Sequence, residues 1–128
     1  LFKGLKARPA RPTKLYQKDK TLVLILPGNP MAAYLSAFIF ARKIIALLYG
    51  NLENPLQIQA FMGSDLKVKS GRNNLILGYL EKGIFYPFND NKFGSGMILP
   101  LIQSEFLLIS EEEKVDFQKD ERIMLFKL

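Results

Sequence analysis

The chain has 128 residues, 48% of them hydrophobic, a net charge of +6, and neither cysteine nor histidine. That apolar share excludes a disordered chain. The missing side chains exclude disulfides, thiol nucleophiles, imidazole acid–base catalysis and the usual zinc and haem ligand sets, so any chemistry rests on carboxylates, lysines, arginines, hydroxyls, amides and backbone donors.

The positive charge belongs to one short segment. Residues 1–20 hold seven bases and one acid, Asp19, while residues 21–128 hold eleven of each. Such a segment is either an anion-binding arm, for nucleotide, phosphate, oxyanion or nucleic acid, or a solvated connector. Pro9 and Pro12 restrain it and bias Arg8 and Arg11 away from helix, and fixed charge discriminates between ligands better than mobile charge.

Residues 22–26, Leu-Val-Leu-Ile-Leu, lack polar alternation and predict a strand covered on both faces, as in a parallel sheet. Pro27-Gly28-Asn29-Pro30 follows at once. Gly28 and Asn29 suit a tight turn, Asn29 a helix cap and Pro30 the first helical position. The helix is expected to run to about Tyr49, with Gly50 as its stop. Its circumference is mostly apolar, with a narrow polar stripe at Ser36, Arg42 and Lys43. Exposing that surface would cost several kcal/mol at roughly 25 cal/mol per Å², so further sheet or a second subunit is expected to cover it. Arg42 and Lys43 interrupt the apolar run and argue against a membrane span, and no targeting peptide is visible at the first residue.

From residue 53 the character changes. Residues 56–62, 74–80, 84–88, 106–109 and 122–128 predict short strands, with Glu81-Lys82-Gly83 as a hairpin connection. Residues 98–102 predict one or two helical turns starting at Ser95, and residues 89–92 an exposed loop. A small antiparallel barrel or sandwich fits this pattern.

Two loops are candidate sites. The strand–turn–helix junction at Pro27, Gly28, Asn29 and Pro30 lets a ligand approach the backbone where the helix dipole favours negative charge; it is neither a P-loop nor a dinucleotide fingerprint. Gly94-Ser95-Gly96-Met97 offers backbone donors and one hydroxyl to a phosphate or oxyanion, and a plain flexible turn explains the same letters. The Glu111-Glu112-Glu113 run is a solvated turn by composition. Residues 1–20 lack the aromatics of a single-strand binding groove.

Three motifs in order resemble a family. Arg8-Pro9-Ala10-Arg11-Pro12-Thr13 stands in place of a KPGKPT-type motif, Leu26-Pro27-Gly28-Asn29-Pro30-Met31-Ala32 in place of LPGNPVS, and Gly94-Ser95-Gly96-Met97-Ile98 in place of a QSGML-like segment; Ser70-Gly71-Arg72 fits the start of the next domain. The chain resembles the C-terminal portion of molybdopterin molybdenumtransferase, the MoeA and gephyrin E-domain family. Departures are Ala10 for the motif glycine, arginine for both lysines, Ala32 for a serine and Ser104-Glu105 for Ala-Asn.

The resemblance implies an α/β fragment, residues 1–52, closing a molybdopterin-binding parallel-sheet domain, followed by a small antiparallel β-barrel-like domain at residues 53–128. It implies insertion of molybdate into adenylated molybdopterin, with Mg2+ involved, by a cytoplasmic homodimer acting after a molybdopterin adenylyltransferase, without nucleic acid or membrane. Arg8 and Arg11 are the expected catalytic residues, and Pro27, Gly28, Asn29, Pro30 and Ser95 the expected cofactor-binding ones; no metal ligand is assigned. The 128 residues alone are expected to have no turnover. The alternative from the residues themselves is a basic nucleic-acid-binding or partner-docking module without catalysis.

Overall fold

The computed structural model describes residues 2–4, 6–50, 56–94 and 96–128. Phe2–Lys3 (β1) and Ala7–Arg8 (β2) leave the basic segment for different sheets. β1 pairs antiparallel with Lys14–Lys18 (β3), which pairs antiparallel with Thr21–Ile25 (β4), in the order β1–β3–β4. Lys18 faces Thr21 across a two-residue link in which Asp19 has φ 52°. A link that short can only return the chain antiparallel. The expected parallel, doubly covered strand at residues 22–26 is therefore corrected: within this chain it is the edge of an antiparallel sheet, and Val23 and Ile25 are 43% and 44% exposed.

The helix starts and stops as expected. Asn29 caps it, its Oδ1 accepting the Ala32 N–H at 3.1 Å, and Pro30 occupies the first turn. Pro30–Ser36 (α1), a π-helical turn at Ala37–Ala41 and Arg42–Leu48 (α2) form one 19-residue rod, Pro30–Leu48. Gly50 follows at φ 69°, its N–H donating to the Leu47 carbonyl. By length and composition alone this rod could cross a membrane. Its first half instead buries Met31, Ala32, Leu35 and Ser36, whereas Ile45, Leu47, Leu48 and Tyr49 stay exposed. Ser36 thus leaves the expected polar stripe for the interior, and Arg42 lies 5.0 Å over the Phe38 ring.

The strands that follow are Gln57–Met62 (β5), Leu66–Lys67 (β6), Asn73–Glu81 (β7), Ile84–Pro87 (β8), Phe106–Ile109 (β9), Asp116–Phe117 (β10) and Arg122–Lys127 (β11), with a single helical turn, Leu99–Ile102 (α3), before β9. β7 turns into β8 through Lys82-Gly83, whose φ values of 49° and 81° match the twist of a two-residue hairpin. β7 also pairs antiparallel with β9, β9 with β11 and β11 with β5, and a parallel β5–β8 contact closes the ring. The result is a five-stranded, mostly antiparallel barrel, with β2 added parallel at the start of β7 and a separate β6–β10 ladder. The expected start of α3 at Ser95 lies outside the described residues; the cap is Ile98.

Alternation along β7 serves two cores. Ile76 points into the barrel with Met62, Phe85, Leu108 and Leu125. Leu75 and Leu77 point outward, onto Ala10, Met31, Leu35 and Leu107. Each such aliphatic side chain contributes about 1.5–3 kcal/mol when fully buried, so the second cluster holds the arm and the first half of the helix against the barrel wall.

Candidate functional site: a basic cleft

The arm is stitched to the barrel by its backbone. The Asn73 N–H donates to the Lys6 carbonyl at 2.7 Å, and Arg8 stands opposite Asn74 in the β2–β7 register. After a cis Arg8–Pro9 bond, the Thr13 N–H donates to the Ala10 carbonyl at 3.1 Å. Ala10 and Thr13 are wholly buried, and the Thr13 and Ser36 hydroxyls lie 2.6 Å apart. With the turn anchored through these two residues, Arg8 and Arg11 stay exposed. They line one cleft of about 690 Å³ between the arm and the barrel.

The opposite wall is built by Asn74. Its side-chain amide donates to the carbonyl of Lys69 at 2.9 Å, to that of Arg72 at 3.4 Å and to Ser110 Oγ at 2.9 Å, while its own backbone N–H also reaches Ser110 Oγ at 2.9 Å. This buried network fixes the turn at residues 69–72 and so aims Lys69 and Arg72 at the arm. Lys67 and Lys92 complete a set of six bases, with Asp90 the acid that lines the same space. Arg72 Nε is buried and has no hydrogen-bond partner among the described residues.

Among the described residues the ion pairs are Lys6–Glu112 and Lys114–Glu121, so no cleft base is matched to a carboxylate. Lys6, exposed beside the cleft, is neutralised by Glu112 at 2.8 Å, whose hydrogen bond and charge raise its pKa above the ordinary value. Unpaired guanidinium and ammonium groups gathered in one concave space make a site for an anion carrying several charges.

The structure brings Arg8 and Arg11 together and adds Lys67, Lys69 and Lys92, which the sequence did not single out, and Arg72, which it marked only as part of the Ser70-Gly71-Arg72 motif and not as a site residue. The signal was present: Lys67-Val68-Lys69 alternates around a half-buried valine, and Gly71-Arg72 follows within the same turn. Residues 27–30 do not line this cleft; the next residue, Met31, does. Pro27 is buried, Gly28 faces open space, and Asn29 spends its side chain on the cap. Ser95 lies outside the described residues. Ala32, at the position of the family serine, is buried. Among the described residues no three Asp, Glu, His or Cys side chains gather where they could hold a metal ion, and Asp90 is the carboxylate that lines the cleft.

No family model and no curated protein sequence matches the chain. Solved structures do. The chain is similar to a molybdopterin biosynthesis MoeA protein of Pyrococcus horikoshii at 25% identity and a TM-score of 0.86, covering 100% of this chain and 32% of that one. It is similar to a molybdenum cofactor biosynthesis protein of Pyrococcus furiosus at 24% identity and a TM-score of 0.83, covering 100% and 45%. A second Pyrococcus horikoshii MoeA structure matches at 18% identity and a TM-score of 0.81, over 98% of this chain and 31% of that one. The chain thus has structural homology to MoeA-type molybdenum-cofactor biosynthesis proteins and spans a third to under half of their length.

Proposed function

We propose that this chain is the oxyanion-holding part of a molybdopterin molybdenumtransferase. Residues 1–52 are the end of its molybdopterin-binding domain and residues 53–128 its small C-terminal β domain. The observation that carries the reading is the convergence of Arg8, Arg11 and Arg72 on one cleft free of paired carboxylates, in a chain whose fold follows MoeA structures along its whole length.

Molybdate is a doubly charged tetrahedral oxyanion and, in this reading, a substrate. Guanidinium forks meet two of its oxygens at once, each charge-assisted bond being about twice as strong as a neutral one. The phosphorylated partner, adenylated molybdopterin, is also an anion. Bringing the two together against their repulsion is the physical difficulty, and a cleft of six bases removes it by neutralising both and holding them in place. Arg8 and Arg11 touch the oxyanion, and Arg72, which lines the same cleft, adds a third guanidinium charge. The full-length protein acts as a cytoplasmic homodimer, downstream of the adenylyltransferase that supplies its substrate.

The test is molybdate binding and molybdate-dependent metallation by the full-length protein. The R8A/R11A double variant removes two charge-assisted contacts, each about 1.5–3 kcal/mol, so molybdate affinity falls by roughly 100-fold or more. Metallation by the double variant at the wild-type rate overturns the reading. Salt-sensitive binding of single-stranded DNA by a wild-type protein that ignores molybdate would instead favour the nucleic-acid module.

A further inference from the structure

We infer that Glu112 is a positioning residue of the cleft, a strut whose backbone grips the wall carrying Arg72 and whose carboxylate grips the arm carrying Arg8 and Arg11, so that the anion site stands preformed before any anion arrives. The inference rests on the reading of the cleft as an oxyanion site, and goes beyond it in assigning a residue that does not line the cleft.

The bonds of Glu112 reach both walls. Its carbonyl accepts the Gly71 N–H at 2.8 Å, which fixes the turn bearing Lys69 and Arg72. Its carboxylate takes the Lys6 ammonium at 2.8 Å, on the arm just before Arg8. These contacts close a ring: the Lys6 carbonyl accepts the Asn73 N–H at 2.7 Å, and the Asn73 side-chain amide donates at 2.9 Å to the carbonyl of Ser110, shortly before Glu112 in the chain. Lys6 is thus held at its backbone and at its ammonium by the same wall. The Glu111-Glu112-Glu113 run, a solvated turn by composition, carries in its middle residue a bond to each side of the cleft.

Charge gives the strut its work. Six bases share the cleft with Asp90, and like charges gathered in one space push its walls apart. The strand pairing that resists this is short, because β2 meets β7 through Ala7 and Arg8 alone. Among the described residues Lys6–Glu112 is the ion pair that joins the arm to the barrel, since Lys114–Glu121 lies within the barrel domain. A bound anion neutralises the bases and bridges the walls itself, so the strut matters most while the cleft is empty. A cleft that opens when empty binds with an affinity reduced by the fraction of molecules that stand closed.

The sign of the effect separates this role from a general influence of charge. Glu112 is a negative charge beside a basic cleft, and as a mere charge it repels an anion, so that removing it strengthens anion binding. As a strut it does the reverse: removing the carboxylate frees Lys6, lets the empty cleft open and weakens binding. The side chains of Lys6 and Glu112 are 74% and 42% exposed. Exposed ion pairs carry a factor of about five at most, so the effect is modest and its direction identifies it. Salt screens the pair, and the difference shrinks as ionic strength rises.

The experiment is calorimetric titration of the full-length protein with molybdate at low salt, together with amide hydrogen exchange read at Asn73. E112Q keeps the shape of the side chain and the backbone carbonyl that holds Gly71. It is expected to lose about three- to fivefold in molybdate affinity and, without molybdate, to exchange the Asn73 N–H about three- to fivefold faster than the wild type. K6E/E112K rebuilds the pair with its charges reversed and is expected to return both readings to within about 1.5-fold of the wild type. Molybdate affinity in E112Q equal to or above that of the wild type, unchanged exchange at Asn73, or a charge-reversed protein no better than E112Q would each overturn the strut. Failure of the wild type to bind molybdate overturns the oxyanion reading instead, and the exchange at Asn73 still decides this one.

Discussion

The Thr13 and Ser36 hydroxyls meet at 2.6 Å with both residues wholly buried, joining the arm that bears Arg8 and Arg11 to the helix that follows the Pro27-Gly28-Asn29-Pro30 turn. Neither hydroxyl has water to fall back on. T13V is therefore expected to strand the Ser36 hydroxyl and to cost about 1–3 kcal/mol, and S36A to do the same to Thr13. T13V/S36A should cost less than the two single changes together, because removing both partners leaves nothing unsatisfied. Urea denaturation of the four proteins measures the coupling, and strict additivity would mean that the pair does not hold the arm.

Asn29 separates a capping role from a binding role. Its Oδ1 accepts the Ala32 N–H, so N29A is expected to lose about 0.5–2 kcal/mol and N29D to keep the stability. If Asn29 also faces an anion, N29D repels it, and molybdate affinity falls in a protein that melts normally. Equal molybdate affinity in N29D and the wild type would confine Asn29 to the cap.

Gly78 is demanded by its neighbours. A Cβ at this position would lie 2.3 Å from the Tyr86 carbonyl oxygen and 2.6 Å from the Phe85 ring, and Phe85 is wholly buried. Neither can withdraw without disturbing the β7–β8 pairing or the barrel core. G78A is expected to destabilise the fold by about 1–3 kcal/mol or more, read as a lower denaturation midpoint. A midpoint equal to that of the wild type would mean that the barrel opens at this position.

Acid weakens one identifiable contact. The Lys114 ammonium hydrogen-bonds Glu121, and with help from the Gln118 N–H it holds the Glu121 carboxyl below its ordinary value of 4.5. A carboxyl with a lowered folded pKa stabilises the fold above the unfolded value, and that contribution disappears as pH falls through the folded value. E121Q should therefore flatten the stability profile below about pH 4.5 and change its shape little at neutrality. Lys6 has the opposite sign: raised by Glu112, its contribution is present below 10.5 and lost above it. Denaturation midpoints measured across pH for wild type, E121Q and K6M test both directions.

Much of the secondary structure was legible because its causes are local. A capping asparagine followed by proline starts the helix, a glycine stops it, and Lys82-Gly83 permits the left-handed pair that a tight hairpin needs. The short strands Ala7–Arg8, Leu66–Lys67 and Asp116–Phe117 were not legible, since two residues carry no period. The apolar run at residues 22–26 misled for a physical reason. Lack of alternation reports that both faces are greasy, and says nothing about which neighbour pairs with the strand or in which direction.

The site divided along the same line. Composition and proline placement marked the arm and its two arginines, since charge and backbone restriction are properties of the residues themselves. Only the tertiary structure brought Lys67, Lys69, Arg72 and Lys92 to face that arm. Their meeting depends on a parallel pairing between Arg8 and Asn74, on a buried amide reaching Ser110, and on a closed barrel that places the turn at residues 89–92 beside them. Those contacts join residues far apart in the chain, and the balance of packing and hydrogen bonding that selects them does not exist until the barrel closes.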